Sequence, residues 1–473
     1  MRDRIKLSFL MVIVIALSFG CQKDDSSGTE ASEYTKKVNL FIKDVMDDVY
    51  LWYNKMPNIN YKYELNSFDY FDKLLYTDDK WSFITDDVEA LENSFEGIEK
   101  TYGYSLAFGR FIDTQDIFAI VEFVYPETPA SAAGIKRGDI IVEMNGASIT
   151  DNNYTDLLYS ESISITLGIL ENEAIRADTS INLAAAQLNL NPVLFSNVVE
   201  HEGHKIGYMF YAQFIDNYNT SIDAALQNMI NEQITDLVID LRYNPGGVIW
   251  AAQHLCSAVA PLDVVNTNSI LVKYFWNDKY QKEWVDNQIM HNLEVYFDKT
   301  APVKLGLDHI HILTGSGTAS ASELTITGLS PYMDVTTVGD TTFGKYTGST
   351  TFKPEEIYKS AGESYYGEIS NWGIQPIILR YANSAGVTDF KGGFVPTIEA
   401  EDDLWNTLPL GTKEEPLFKA AIEDISGSPV IAMKSGRRQT TKIPYKLFDR
   451  GFSKFDRNKR ELLIDNIDFN TLK

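Results

Sequence analysis

The segment around residues 310–322 constrains the fold of this chain most. It consists of a short apolar run, a glycine turn and a run of small residues. Ile310-His311-Ile312-Leu313 predicts a buried strand, and Gly315-Ser316-Gly317 predicts a tight turn. Apolar residues from Leu324 onward then repeat at helical spacing, so we expect a helix that begins at Ser320. Amides in a first helical turn lack intrahelical acceptors, and the helix dipole favours negative charge there. A reaction centre can therefore be built at this helix end.

Ser320 precedes Lys345 by 25 residues, and the two residue types can form a nucleophile and its base. A serine hydroxyl is a weak nucleophile until a base removes its proton. Lysine can be that base when burial makes its charged form unfavourable. Glu323 lies on the same helix face as Ser320 and can orient Lys345 or hold its ammonium form. Taken alone, Ser320 also fits an ordinary small-residue helix start with Lys345 exposed.

A second block has a similar layout. Asp236 to Arg242 predicts a buried strand with polar ends, and an apolar helix is expected from Val248. Between them lies Tyr243-Asn244-Pro245-Gly246-Gly247, whose glycines allow close approach of the backbone to a ligand. The following helix start again offers free amides. By itself this block fits any strand-turn-helix connection.

Together the two blocks resemble the catalytic signature of the C-terminal processing peptidases (tail-specific proteases). In that family a Ser-Ala-Ser-Glu core is followed 25 residues later by the lysine of a Thr-Phe-Gly-Lys motif, as at 320–323 and 342–345 here. The block at 236–247 is similar to the family's Asp-Leu-Arg-x-Asn-x-Gly-Gly motif. The resemblance covers most of residues 190–425 and implies a crotonase/ClpP-like α/β catalytic core.

The resemblance also implies a role for each matched residue. We expect Ser320 to attack the scissile carbonyl, Lys345 to be general base and then general acid, and Glu323 to support Lys345. The oxyanion would be held by the amide of Ala321 and by one of two glycines, Gly246 or Gly247. The sequence does not choose between the glycines. His309 and His311, which alternate on the strand before Ser320, are the rival bases.

The middle of the chain resembles a PDZ domain of the protease-associated kind, over residues 98–185. The segments that carry this resemblance are Pro129 to Ile135, Arg137 to Ile141, and Met144-Asn145-Gly146. PDZ domains add an extended peptide to a sheet edge and can capture its terminal carboxylate with backbone amides. The alternative is a module that only braces the active site. The resemblance implies a peptide-binding loop made of Tyr102, Gly103, Tyr104, Ser105 and Leu106.

The N-terminus indicates export and lipid attachment. Arg2 and Arg4 precede an apolar run from Leu7 to Phe19, which is too short for a secure membrane span. Gly20-Cys21 then resembles a lipoprotein signal with Cys21 as the lipidated residue, and residues 22–25 resemble a surface-export signal of Bacteroidota lipoproteins. We expect a protein of the cell envelope that is lipid-anchored in the outer membrane, and the export-like residues predict exposure at the cell surface. A plain signal peptide or an uncleaved anchor would fit the same run.

The composition limits the classes of molecule that this protein is expected to bind. The net charge of −25 argues against nucleic acid, so the expected partners are polypeptide substrates and, through the anchor, a membrane. We find no phosphate-binding loop or metal motif and expect no cofactor and no metal. His201-Glu202-Gly203-His204 lacks the spacing of a helical zinc motif and predicts a polar hairpin turn. The aromatic stretch at 268–305 favours core or cap packing over a substrate groove.

These observations predict an α+β multidomain protein, a serine endopeptidase with a Ser-Lys mechanism that recognises substrate C-termini. The alternative is a non-catalytic peptide-binding surface lipoprotein that keeps the protease fold. The expected segments are a signal peptide (1–20), a lipidated tether (21–35), an N-terminal helical region (36–97), the PDZ domain (98–185), the peptidase domain (186–430) and a tail without an assigned role (431–473).

Overall fold

A computed structural model of the chain describes residues 29–171, 174–431, 443–451, 462–464 and 467. The expected signal peptide and Cys21 lie outside these ranges. Within them, no helix combines the length and the apolar character needed to cross a bilayer.

The N-terminal region is mainly helical, as predicted, but it also contains one short strand. The Ser32 hydroxyl accepts a hydrogen bond from the Thr35 amide at 3.0 Å and caps the first helix. The strand forms because Phe83, Ile84 and Thr85 pair antiparallel with residues 373–375, far along the chain. The elements are α1 (Glu33–Val49), α2 (Ser67–Leu74), β1 (Phe83–Thr85) and α3 (Val88–Phe95).

The middle module is an antiparallel sheet with a core of its own. Its elements are β2 (Ile98–Thr101), β3 (Tyr104–Phe111), β4 (Ile117–Val124), α4 (Pro129–Ala132), β5 (Ile140–Met144), β6 (Ala147–Ser148), α5 (Asp156–Tyr159), β7 (Ser162–Glu171), β8 (Ala174–Ala184) and β9 (Ala186–Asn189). The strands follow the order β3-β4-β5-β7-β8. Because β2 and β9 pair antiparallel, the entry and exit of the module lie side by side.

The region of residues 193–426 contains helices and contributes to two further sheets. Its elements are β10 (Val193–His201), β11 (His204–Tyr211), α6 (Asn219–Asn231), β12 (Asp236–Asp240), β13 (Gly247–Val248), α7 (Ile249–Val259), α8 (Leu262–Asn266), β14 (Ile270–Trp276), α9 (Asp278–Asp286), β15 (Glu294–Tyr296), β16 (His309–Thr314), α10 (Ala321–Leu329), β17 (Asp334–Gly339), β18 (Thr347–Ser349), α11 (Pro354–Ile357), α12 (Glu363–Tyr366), β19 (Gly373–Gln375), β20 (Ile377–Asn383), β21 (Ile398–Glu399) and α13 (Pro416–Ser426).

The first of these sheets has the order β10-β11-β12-β16-β17-β21, and β11 to β21 run parallel. Parallel strands end at one edge of the sheet, where open α/β proteins place their ligands. The loops that follow β12 and β16 therefore meet at this edge, and α10 begins there. The predicted strand, turn and helix around Ser320 are confirmed.

The segment from His201 to His204 is the predicted hairpin turn. It joins β10 to β11, which pair antiparallel up to His201 opposite His204. Glu202 and Gly203 have φ values of 46° and 87°, as a two-residue hairpin turn requires.

The aromatic residues of the stretch at 268–305 are mostly core residues. Trp276, Tyr280 and Trp284 are buried in the main hydrophobic cluster, and Phe275 is exposed. The prediction that packing outweighs a groove is therefore confirmed for these three side chains.

The C-terminal segment adds two further strands, β22 (Tyr445–Gly451) and β23 (Leu462–Leu463). β22 extends the sheet of the middle module by pairing with β3. β23 lies in the second sheet of the region from residue 193 onward, whose order is β13-β23-β18-β20-β14-β15. The sequence suggested no structure for this segment.

A buried ion network fixes the loop after β12. The Arg242 guanidinium donates to both Glu415 oxygens, at 2.5 and 2.9 Å, and to Asp240 at 2.8 and 3.0 Å. Asp402 lies 3.3 Å from the same guanidinium. Since Arg242, Asp240 and Glu415 are fully or almost fully buried, each charge depends on the others for compensation.

We predict that Glu415→Gln lowers the free energy of unfolding by about 3 kcal/mol, because removing one partner leaves a buried cation undercompensated. Urea unfolding should detect the loss. Glu414→Gln, which changes the neighbouring carboxylate, is the control. Its free energy of unfolding should stay within about 0.5 kcal/mol of the wild-type value. Equal stability of both variants would contradict the network's role.

Candidate active site

Ser320 is held in a strained conformation at the start of α10. Its φ and ψ are 60° and −108°, and such backbone geometry costs about 1–3 kcal/mol unless neighbours impose it. The Ser320 amide donates to Glu323 Oε2 at 2.9 Å, which is one such restraint. Strain of this kind clusters at functional sites.

The Glu323 carboxylate joins the two motifs of the site. Oε1 accepts from the Thr342 hydroxyl and the Gly344 amide, both at 2.6 Å, and Oε2 accepts from the Lys345 amide at 2.8 Å. Burial raises the pKa of the Glu323 carboxyl, and these hydrogen bonds oppose that change. Glu323 therefore orients Lys345 through its backbone amide, which is one of the two roles expected from the sequence.

Tyr381, on β20, is a site residue that sequence reasoning missed. Its hydroxyl lies 3.2 Å from the Ser320 carbonyl oxygen and 3.1 Å from the Lys345 carbonyl oxygen. Ser320 and Lys345 are thus both held by the Glu323 carboxylate and by the Tyr381 hydroxyl. The sequence carries no signal for this contact beyond an apolar strand pattern.

Lys345 is fully buried and follows a glycine that no other residue could replace easily. Gly344 has φ of 96°, and a Cβ there would lie 2.5 Å from the Lys391 carbonyl oxygen. In this conformation the Gly344 amide reaches the Glu323 carboxylate of α10, three residues before β18 begins.

The loop after β12 lies against the Ser320 segment. The Asn244 carbonyl oxygen accepts from the Ala319 amide and from the Ser322 hydroxyl, both at 3.1 Å. The Asn244 side chain accepts from the Gly246 amide at 2.9 Å. Gly247 has φ of 137°, and a Cβ there would lie 2.2 Å from the Phe214 carbonyl oxygen, so only glycine fits.

The amide of Ala321 is the first of α10, where amides have no intrahelical acceptor. The structure thus brings together Ser320, Glu323, Lys345, Ala321 and the glycine pair, which the sequence placed in three separate segments.

Three family profiles match the chain. The profile of peptidase family S41 matches residues 205–399, that of the peptidase S41 N-terminal domain matches 37–83, and that of the PDZ domain matches 95–157. The chain belongs to peptidase family S41. The middle module is its PDZ domain, and the predicted fold class is confirmed.

Several relatives of this S41 chain are carboxy-terminal processing enzymes. Carboxy-terminal processing protease CtpB of Bacillus subtilis is 24% identical over 353 residues, which cover 72% of this chain and 63% of that protein. C-terminal processing peptidase of Tetradesmus obliquus is 26% identical and covers 60% of this chain and 56% of that protein. The chain thus spans about 56 to 63% of these two curated relatives.

Among solved structures, a Bacteroides fragilis chain assigned as an S41 protease has a similar fold. Its TM-score is 0.65 at 25% identity, and the match covers 82% of this chain and 97% of that one.

The residues predicted as nucleophile and base are closed off in the structure. Ser320 and Lys345 are both fully buried, and the Ser320 hydroxyl forms no hydrogen bond with any described residue. A proton-transfer contact from the Ser320 hydroxyl to Lys345, the predicted base, is therefore not made in this conformation. Such contacts often tighten only when substrate binds.

The two rival histidines belong to the opposite end of β16. His309 Nε2 lies 2.9 Å from Asp236, and His311 Nε2 lies 2.9 Å from Asp424. Burial lowers the pKa of His311. Three residues of strand, roughly 10 Å, separate His311 from the end of β16, so neither histidine is placed beside Ser320.

The predicted PDZ loop lies mostly inside the module. Tyr102, Tyr104 and Leu106 are fully buried. The Gly103 amide donates to the Thr101 hydroxyl at 3.3 Å, and the Ser105 hydroxyl donates to Glu122 at 2.9 Å. Residues 104–106 are the first residues of β3 rather than part of a loop, and the β3 edge at which a PDZ domain would add a peptide is paired with β22.

We predict that Glu323→Gln lowers the free energy of unfolding by about 2–6 kcal/mol. The amide nitrogen that replaces one oxygen would face two donors, and each buried donor left unpaired costs roughly 1–3 kcal/mol. Denaturant unfolding measures the change, with the exposed Glu363→Gln as control. A Glu323→Gln protein as stable as the wild type would show that the carboxylate does not fix this site.

Proposed function

We propose that the protein is a serine endopeptidase that uses Ser320 as nucleophile and Lys345 as base. One observation carries the proposal: the Glu323 carboxylate accepts hydrogen bonds from the backbone amides of both residues, at 2.9 and 2.8 Å. Membership in peptidase family S41 supports the reaction class.

In this mechanism the Ser320 oxygen bonds to the scissile carbonyl carbon while its proton passes to the Lys345 amine. The carbonyl oxygen becomes an oxyanion. When the tetrahedral intermediate collapses, the carbon–nitrogen bond breaks and the Lys345 ammonium gives its proton to the leaving amine. Water, deprotonated by Lys345, then releases the acyl group and restores the Ser320 hydroxyl.

The oxyanion is held by the Ala321 amide and by an amide of the glycine pair. Because the Gly246 amide already donates to Asn244, we favour Gly247 as the second donor. The strained Ser320 backbone and the clamp from Asn244 to the Ser320 segment keep these donors fixed before substrate arrives.

The PDZ domain is proposed to recognise the C-terminal part of a substrate. A strand that adds antiparallel to β3 runs with its C-terminal end toward the loop of residues 102–106, as PDZ ligands do. Polypeptides are therefore the proposed substrates, and the edge of β3 is the proposed first contact.

The protein is further proposed to be attached to the cell envelope by lipid on Cys21, in the outer membrane. The support is the sequence alone: two arginines, an apolar run and Gly20-Cys21.

Ser320→Ala and Lys345→Ala should each reduce cleavage of an unfolded acceptor protein by about 10⁴-fold or more, and the double variant should lose no more than either. Lys345→Arg should be equally inactive, since a guanidinium does not give up its proton. Cleavage rates by mass spectrometry measure these losses.

Cleavage by Lys345→Ala at a near-normal rate would contradict the proposed Ser-Lys mechanism. A wild-type protein that binds peptides but cleaves none would instead support the non-catalytic alternative.

Cys21→Ser should release the protein from the membrane fraction, since no described helix could replace the anchor. Cell fractionation and loss of lipid labelling measure the change, and Ser27→Ala serves as the matched control. A Cys21→Ser protein that stays membrane-bound would contradict the lipid anchor.

A further inference from the structure

The C-terminal segment occupies the peptide-binding edge of the PDZ domain. β22 pairs antiparallel with β3, from Tyr445 opposite Phe111 to Gly451 opposite Leu106. Its C-terminal end therefore runs toward the loop of residues 102–106. This is the position and direction of a peptide added to a PDZ sheet.

Side chains of β22 are bound specifically. The Tyr445 ring packs against Trp405 at 5.2 Å between ring centroids. On the other side of the strand, Phe448 packs against Tyr154 at 5.3 Å, and the Tyr154 hydroxyl donates to Asp449 at 2.8 Å. The strand thus contacts both the PDZ domain and the catalytic region.

Arg450 compensates a buried carboxylate. Its Nη1 lies 3.2 Å from Glu122 Oε1, and Glu122 is 1% exposed. Burial raises the pKa of the Glu122 carboxyl, and the Arg450 charge acts in the opposite direction. A peptide that replaces β22 would leave Glu122 undercompensated unless it supplied a cation at the same place.

β23 occupies a second strand position, beside the active site. It pairs parallel with β13, which contains Gly247, and with β18, which begins two residues after Lys345. The Ile464 amide donates to the Ser349 carbonyl oxygen at 2.9 Å, and the Ile464 side chain is buried. Removing β23 would open a slot one strand wide between the two halves of the site.

A large cleft beside β23 is acidic. Its volume is about 1410 Å³, and Val248 and Leu463 lie in its wall. Seven of its lining residues are acidic and one is basic. A chain that enters the slot from this cleft meets a negative surface, which favours cationic polypeptides.

We propose that β22 and β23 are a built-in peptide ligand that fills the two strand positions a substrate needs and so keeps the peptidase in a low-activity state. The substrate is then an extended polypeptide that displaces them, with a cationic side chain opposite Glu122. This proposal rests on the proposed peptidase function. Ser320 is fully buried, so a substrate reaches that residue only after a neighbouring segment moves.

Full-length Arg450→Ala and Ile464→Asp test the proposal. Each should raise the cleavage rate of a lysine-rich unfolded protein at least fivefold, because each weakens one half of the built-in ligand. Lys446→Ala, which removes a cation from the exposed face of the same strand, should leave the rate unchanged. Thermal unfolding of each variant shows whether it is folded.

A binding measurement separates this proposal from the peptidase itself. A fluorescent peptide with the sequence of residues 443–464 should bind the inactive Ser320→Ala, Arg450→Ala, Ile464→Asp triple variant at least tenfold tighter than Ser320→Ala alone. Replacing the peptide's arginine at position 450 with alanine should weaken binding to the triple variant at least fivefold.

The outcomes are distinguishable. Peptide binding as expected, with no cleavage by any active-site-intact protein, overturns the peptidase but supports the built-in ligand. Cleavage at equal rates by wild type, Arg450→Ala and Ile464→Asp, with equal peptide binding by both inactive proteins, overturns the built-in ligand and leaves the peptidase intact.

Discussion

The proposed active site depends on one buried carboxylate, that of Glu323. Glu323 accepts four hydrogen bonds, from the Ser320, Gly344 and Lys345 amides and from the Thr342 hydroxyl. Burying a carboxylate is costly unless its oxygens are fully hydrogen-bonded. The folded chain meets that requirement only when the Ser320 helix start and the Lys345 turn lie together, so the carboxylate specifies the site's geometry.

Tyr243 is the point where the PDZ domain, the catalytic core and the C-terminal segment meet. The guanidinium carbons of Arg137, Arg242 and Arg450 lie 5.6, 6.0 and 5.8 Å from its ring centroid. Its hydroxyl donates to Asp402. Because Tyr243 directly precedes Asn244, its contacts link β22 and the PDZ domain to the loop that carries the proposed oxyanion donor.

The sequence predicted those parts of the site that depend on local patterns. The strand before Ser320, the helix after it and the glycine pair follow from apolar periodicity and from backbone geometry that only glycine adopts. Tyr381 could not be predicted, because its role arises from the pairing of β20 with distant strands. β22 and β23 were missed because strand formation depends on the sheet edge that a segment meets, and the strands that pair with these two lie far away in the sequence.

Chemical restoration of the base tests the central claim most directly. Lys345→Cys, in a background without Cys21 and the buried Cys256, would be alkylated with 2-bromoethylamine while unfolded and then refolded, which places an amine close to the original position. The account predicts that peptide cleavage, absent in the unmodified variant, returns after alkylation and stays absent when Ser320 is also alanine. Cleavage by the unmodified variant, or none after complete alkylation of a correctly refolded protein, would contradict the assignment of Lys345 as the base.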